Sequence, residues 1–298
     1  MRAPGMFISR HCSFRDSAVR GSAYTLSDLL SCTLSNIFAA AVLTMATSVP
    51  AHAGGATLAD AQRAFFNARY PAAADLALDL QGSDVDALAA YEVRTSALHF
   101  QLRDALGPDA DKKQAFKLCV ACPELLKVFL HDTAKGQALA RARLQQDPGD
   151  ADALFFLGKL NLNYVWLHLE TLGRKTGWSE YWEARRSLDA ALKNNPRHMR
   201  ARVARAWIDY IVDTKMTRGT RWVLGGGSKK RAFLGAREAA AAESEFFVRV
   251  EAEFALWEML VRDRQLREAT TIARRLARDF PDNPKLARFL ETAPAIDP

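Results

Sequence analysis

Two cysteines separated by two residues are the part of this sequence with the clearest chemistry. Cys119 and Cys122 flank a Val-Ala pair, and Pro123 follows directly. Because proline is favoured in the first turn of a helix, Cys122 is expected at a helix N-terminus, where the helix dipole lowers a thiol pKa. The pair is therefore a candidate for thiol–disulfide exchange in an oxidising compartment.

The two cysteines could also bind haem or zinc, or form a structural disulfide. No histidine follows Cys122, so covalent haem attachment is disfavoured, and the spacing to His99 and His131 fits no structural zinc pattern. No strand precedes the motif, as it does in thioredoxin-like redox proteins. We therefore favour a local structural disulfide between Cys119 and Cys122, or two buried thiols, and predict neither a metal site nor a cofactor.

A glycine-rich stretch is the second candidate site. Gly225, Gly226 and Gly227 precede Ser228 and three consecutive basic residues. The lysine does not follow the last glycine directly and the preceding segment reads as helical, so a nucleotide site is not expected. The simpler interpretation is that Ser228 caps a helix that runs to Ala242. In a weaker alternative, this helix start and its cations bind a carboxylate or a phosphate group.

Positive charge is concentrated in one part of the chain. From Lys193 to Arg231 there are eleven Lys and Arg residues but only two Asp, a net charge of +9. We call the predicted partner-binding residues of this part the basic strip: Arg197, Arg200, Arg202, Arg205, Trp207, Lys215, Arg218, Arg221, Trp222, Lys229, Lys230 and Arg231. Either the strip receives an acidic segment of a partner, or its cations are a solvated face paired with neighbouring acids. Nucleic acid is not expected as a partner, because an exported protein seldom meets it.

Little else in the sequence indicates catalysis. It contains neither an HExxH nor a GxSxG motif, and its histidines are scattered. The aromatic residues between Tyr164 and Trp182 are equally explained as interface anchors or as the core of a long helix. No enzymatic activity is predicted.

The elements that carry these residues are predicted to be helices. Beyond Thr57, apolar residues recur at helical spacing with almost no alternation typical of strands, and Pro-containing stops such as Asp147–Asp150 punctuate the chain. The composition, 49% hydrophobic and 25% charged over 298 residues, is that of a globular chain. The fold class is therefore all-α.

The punctuated segments resemble one another. Small or apolar residues stand twelve, eight and five positions before two prolines: Ala184, Leu188 and Ala191 before Pro196, and Ala269, Ala273 and Leu276 before Pro281. Gly158 lies where two helices of a pair are expected to approach closely. These residues resemble the tetratricopeptide repeat (TPR), which has 34 residues and a helix-turn-helix fold.

The resemblance implies a right-handed α-solenoid of TPR-like repeats, in which each helical pair buries its face against its neighbours. We expect roughly six pairs and a short terminal helix over Lys285–Leu290. Pro148 and Pro196 are 48 residues apart, so the first helix of that repeat is expected to be extended and its turn displaced. An irregular helical bundle is the competing interpretation.

The N-terminal segment is typical of a secretory leader. Ile37–Val49 is an uncharged run of thirteen residues, followed by the small-x-small site Ala51-His52-Ala53. The run is too short to span a bilayer, but it fits a signal peptide with cleavage after Ala53, although its n-region is unusually long. We expect a leader over residues 1–53, a TPR-like domain over 54–298, a periplasmic location and no membrane span after signal removal.

The function predicted first is an exported, TPR-like adaptor that recognises another protein of the bacterial envelope through the basic strip. The alternative is an accessory subunit of a solute transporter, in which residues 168–178 and the glycine-rich stretch close over a small ligand. A Cys-x-x-Cys thiol–disulfide protein is a weaker alternative. The sequence leaves a homo-oligomer open.

Overall fold

The computed structural model describes residues 55–83, 85–107 and 111–293 of the chain. The predicted leader over residues 1–53 lies outside these described residues, so its identity stays a prediction. All the described residues belong to one unit, His52–Pro298.

Every regular element among the described residues is a helix, which confirms the all-α class. The α-helices are α1 (Leu58–Phe66), α2 (Tyr70–Asp79), α3 (Ala87–Leu106), α4 (Lys112–Leu118), α5 (Cys122–Gln146), α6 (Ala151–Trp166), α7 (Trp178–Asn194), α8 (Met199–Lys215), α9 (Arg218–Val223), α10 (Lys229–Ala241), α11 (Phe246–Arg262), α12 (Leu266–Asp279) and α13 (Pro284–Thr292). None of these described helices has the length and apolarity needed to cross a bilayer.

The helix starts follow from local side chains that satisfy free backbone N–H groups. Thr57 and Asp60 form a capping box at the start of α1. Asp150 accepts from the Ala153 amide at 2.8 Å at the start of α6. Ser228 accepts from the Arg231 amide at 3.3 Å and caps α10, as its position in the sequence predicted.

The helices pack mainly with their neighbours in the chain. Five pairs form, namely α1–α2, α3–α5, α6–α7, α8–α10 and α11–α12, and the second helix of each pair contacts the first helix of the next. The expectation of roughly six pairs is therefore too high by one. Two further helices, α4 and α9, have only seven and six residues and lie within the connections of their pairs.

The long connection predicted after Gly158 has a specific cause. Helix α6 continues from Trp166 directly into a π-helical turn, Leu167–Thr171, before the chain reverses at Gly177 with a left-handed φ of 93°. The first helix of this pair is thus extended and its turn displaced, as predicted. π-Helical turns are rare in proteins, and those that occur are often found at functional sites.

The first and the last of the described helices meet. Asn283, which caps α13, donates from Nδ2 to the Phe66 carbonyl oxygen at 2.7 Å, and the Asp282 amide donates to Asn67 Oδ1 at 3.3 Å. The rings of Phe66 and Phe254 stack with centroids 5.1 Å apart. The last helices therefore contact the first, and this seam joins α1 to α11.

Candidate functional site

A cavity of about 220 Å³ lies between the first helices of the five pairs. Its walls come from α1, α3, α6 with its π-helical turn, α8 and α11. The volume is below the range of about 300–1,000 Å³ that accommodates drug-sized ligands, so the cavity suits a small molecule.

Aromatic side chains form much of the cavity wall. They come from all five helices: Phe65, Phe66, Phe100, Trp166, Trp207, Phe247 and Phe254. Neighbouring aromatics hold one another in place, since Phe65 meets Phe100 edge-on at 5.4 Å. Such rings provide an apolar surface for a ligand and, through their faces, a site for a cation.

Four charged side chains form an ion-pair network on another part of the wall. Arg200 of α8 donates from Nε to Glu251 Oε2 at 2.6 Å and from Nη2 to Glu92 Oε2 at 2.8 Å. Lys159 of α6 donates to Glu251 Oε1 at 3.0 Å and lies 3.8 Å from Glu92 Oε1. The network thus ties α3, α6, α8 and α11 together across the cavity wall.

The environment holds Glu251, Lys159 and Arg200 in their charged forms. Burial alone would raise the pKa of Glu251, but Arg200 and Lys159 outweigh burial and lower it to about 2. Burial likewise opposes protonation of Lys159 and Arg200, yet the two carboxylates raise the pKa of both side chains. Ser96 Oγ donates to Glu92 Oε1 at 3.1 Å, so the Glu92 carboxylate has a hydroxyl partner besides Arg200 and Lys159.

A second charged group lies at another part of the cavity. Arg262 pairs with Glu258 at 2.7 Å and covers the Trp207 ring at 5.6 Å. Glu170, placed by the π-helical turn, has its pKa raised by burial, while Arg262 acts in the opposite direction. Arg103 covers the Phe100 ring at 4.0 Å. Counting both groups, the wall carries four carboxylates and four cations, so the cavity has no formal net charge.

His99 is a neutral member of the wall. Burial, helped by Arg103 and Lys285, lowers its pKa to about 3. Its Nε2 lies 2.9 Å from Thr171 Oγ1 of the π-helical turn. The imidazole thus positions that turn by a hydrogen bond and contributes no charge near neutral pH.

The cavity offers groups for binding. A ligand here would meet aromatic faces and ionic groups that already have protein partners, which orients a molecule and gives specificity. No group of three or more metal-ligating side chains occurs among the described residues.

The residues of the basic strip do not lie on one surface. Arg200 and Trp207 line the cavity, whereas the other ten do not. Two positions after Arg200, Arg202 points away from the cavity and pairs with Glu238 of α10 at 2.6 Å. Residues two apart on a helix face different directions, which is why a cluster in sequence becomes dispersed in space.

Most cations of the strip already have acidic partners. Arg205 pairs with Asp189 at 2.7 Å, Lys229 with Asp263 at 2.8 Å, and Arg221 with Asp213. Arg231 reaches Asp209 at 3.4 Å. Within the described residues, four cations of the strip form no side-chain ion pair: Arg197, Lys215, Arg218 and Lys230. Trp222 is 83% exposed. The partner-binding role of the strip stays a prediction.

The other two candidate sites make local contacts. Cys119 and Cys122 are joined by a disulfide, which lies where α4 ends and α5 begins. The glycine-rich stretch packs against α7, where Arg185 donates to the carbonyl oxygens of Leu224 and Gly225 at 2.8 and 2.7 Å. Neither site borders the cavity, and of residues 168–178 only Glu170 does.

Sequence reasoning missed the acids and the lysine of the cavity network. Glu92, Lys159 and Glu251 lie on three helices. Lys159 stands within an apolar stretch, whereas each of the other two has a further charged residue two positions away. A charged residue within an otherwise buried helix was the available signal.

Comparison with protein-family models, with curated proteins and with solved structures finds no match.

Proposed function

We propose that this chain is an exported binding protein, without catalytic activity, that holds one small molecule in its central cavity. The observation that carries the proposal is the ring of five helices around that cavity. Phe66 of α1 stacks on Phe254 of α11, so the first and last of the five cavity-lining helices contact one another. Helical pairs whose first and last members meet in this way surround a space that an open, extended array would not form.

The arrangement of the pairs supports the finer fold that the sequence suggests. Each pair contacts the next in chain order, and the first helix of every pair lines the cavity. We propose that the pairs are TPR-like repeats of a right-handed α-solenoid, shortened to five and closed end to end.

The chemistry of the wall defines the class of ligand. The aromatic rings fit an apolar or aromatic body, and the two ionic groups fit polar substituents at its ends. Because the wall has four carboxylates and four cations, a neutral or zwitterionic ligand avoids the repulsion that a strongly charged one would meet. This favours the accessory subunit of a solute transporter over the adaptor that was predicted first.

The ion pairs within the chain reduce the support for protein recognition by the basic strip. Of its cations, Arg200 is committed to the cavity network, and most others have partners within the chain. A periplasmic location remains part of the proposal and rests on the sequence of the leader alone.

Native mass spectrometry of the protein purified from its own host tests the proposal. We expect a co-purifying small molecule that denaturation releases. Ala255→Phe fills the cavity, where Ala255 is buried, and should abolish the bound species. Ala105→Phe adds the same ring at an exposed position of α3 and is the matched control.

The ligand class has its own test. Calorimetric titrations with phenylacetate, phenethylamine and phenethyl alcohol compare one skeleton bearing a negative, a positive and no charge. The wall predicts that the alcohol binds at least as well as either ion. If the native protein carries no small molecule, and if Ala255→Phe changes none of these titrations relative to Ala105→Phe, the cavity is not a binding site.

A further inference from the structure

The segment around α9 carries positive charge without any acid. Residues 214–237 contain seven Lys and Arg residues and no Asp or Glu. Four of the seven pair with acids elsewhere in the chain, namely Arg221, Lys229, Arg231 and Arg237. Within the described residues, Lys215, Arg218 and Lys230 form no such pair, so they are available to an anionic partner.

Exposed apolar side chains accompany these free cations. Trp222 is 83% exposed and Val223 is 52% exposed, both at the end of α9. Arg218 and Trp222 are four residues apart and therefore lie on the same side of this helix. We call Lys215, Arg218, Trp222 and Val223 the α9 surface.

The exposure of Trp222 belongs to an anchored segment. Thr217 caps α9, and Arg221 pairs with Asp213 at the end of α8. On the other side, Arg185 donates to the carbonyl oxygens of the glycine-rich stretch, and Tyr181 donates from its hydroxyl to the Leu224 carbonyl oxygen at 2.9 Å. The fold therefore holds α9 in place while it presents a tryptophan to the outside.

We propose that the α9 surface binds the headgroup region of a bilayer that contains anionic lipids. Tryptophan is enriched at membrane interfaces, where its ring meets the boundary of the acyl chains and its N–H stays hydrated. Arg218 lies on the same side of α9 as Trp222, and Lys215 is an exposed cation three residues before α9. Both have long side chains that can reach anionic headgroups while their stems stay near apolar surface. The surface contacts the bilayer without crossing it.

The shape of the surface favours lipid over an acidic protein segment. An acidic peptide would satisfy the free cations, but it would need a pocket of its own to bury the protruding Trp222 ring. A bilayer interface accepts an exposed ring without a preformed pocket. The proposal is independent of the cavity, because none of the four residues lines it.

Sedimentation with vesicles tests the proposal on the full-length chain, purified after any processing by its host. Wild-type protein should sediment with vesicles of phosphatidylcholine and 30% phosphatidylglycerol, and sucrose-loaded vesicles of pure phosphatidylcholine should bind it far less. Binding should weaken in 0.5 M NaCl, because salt screens exposed charges. A blue shift of tryptophan emission on vesicle addition should disappear in Trp222→Ala.

Two variants separate the contributions of charge and ring. Arg218→Glu changes the charge by two units and should weaken binding roughly 25-fold, at about fivefold per charge near an anionic surface. Trp222→Ala should weaken binding roughly tenfold through lost apolar contact. Lys113→Glu and Leu118→Ala make comparable changes at exposed positions on α4 and should keep wild-type binding.

Each other outcome overturns the proposal. Equal binding to both vesicle types would remove the role of the cations, and equal losses in the α4 controls would make the effect one of overall charge. Binding of poly-glutamate but not of vesicles, lost in Arg218→Glu, would assign the surface to an acidic protein. Concentration-dependent dimers that Trp222→Ala dissolves, without vesicle binding, would assign it to a second copy of the chain.

Discussion

Arg200 Nε and Glu251 Oε2 lie 2.6 Å apart and join α8 to α11 across the wall of the central cavity. Both side chains are mostly buried, with 16% and 14% of their surfaces exposed. Arg200 also reaches Glu92 on α3, 108 positions earlier in the chain. One guanidinium therefore compensates two carboxylates that would otherwise repel each other.

Removing this guanidinium should be costly. We expect Arg200→Met to lower the free energy of unfolding by about 3–5 kcal/mol, because it leaves buried carboxylates facing Lys159 alone. Urea unfolding at pH 7, followed by circular dichroism, measures the loss. Arg237→Met is the matched control, because its pair with Glu268 is half-exposed and should contribute less than about 1 kcal/mol. Equal losses in the two variants would show that the network does not bear on stability.

Glu251 should also produce an acid limb of stability. Its pKa is about 2 in the folded chain against an ordinary value of 4.5, so the unfolded chain takes up more protons between these two values. Stability is fully present above pH 4.5 and is lost as the pH falls toward 2, by on the order of 3 kcal/mol. Unfolding curves from pH 2 to 7 measure this slope. Glu251→Gln should reduce the slope, and an unchanged acid limb would mean that other carboxylates cause it.

Lys285 should also make stability rise with pH, but at alkaline pH, because the fold disfavours its charged form. Burial, together with Arg103, lowers its pKa from 10.5 to about 8, while its Nζ lies 3.3 Å from the Tyr70 hydroxyl, where α13 contacts α2. Folding releases a proton between these two pKa values, so stability should rise as the pH increases from 8 toward 10.

The test of Lys285 is a hydrophobic replacement. Lys285→Met removes a charge that the fold must desolvate, so its unfolding free energy at pH 7 should rise by up to about 3 kcal/mol. The rise of stability with pH should disappear in this variant. Thermal unfolding at pH 7 and at pH 9.5 measures both effects. A lower stability than wild type at both pH values would show that the contacts of Lys285 with Tyr70 and Phe100 outweigh its desolvation.

The helices could be predicted from the sequence because their causes are local. Asp150 and Ser228 act within three residues of the amides that they cap, and prolines end helices at their own positions. The position of Gly158 in the repeat predicted that two helices approach closely there. Its side of α6 meets Leu188 and the Ala184 carbonyl oxygen of α7.

The cavity could not be predicted because its parts meet only after the array closes. Lys159 and Glu251 are 92 positions apart, and the direction of Arg200 depends on how α8 is rotated against its neighbours. The clustering of charge along the sequence does not indicate how α8 is rotated. For the same reason, the five pairs and the seam of Phe66 with Phe254 required the structure.

The crossing of α6 and α7 allows a direct test of packing with two glycines. A Cβ at Gly158 would lie 2.8 Å from Leu188 Cγ and 3.2 Å from the Ala184 carbonyl oxygen, and Leu188 is fully buried. Gly158→Ala should therefore lower the free energy of unfolding by about 1–3 kcal/mol through overpacking, which exceeds the gain from the higher helix propensity of alanine.

Gly219→Ala is the control, since a Cβ there meets nothing within 4 Å. It should leave stability unchanged or raise it by up to about 1 kcal/mol. Chemical unfolding of both variants measures the difference, and a stable Gly158→Ala variant would contradict the close approach of the two helices.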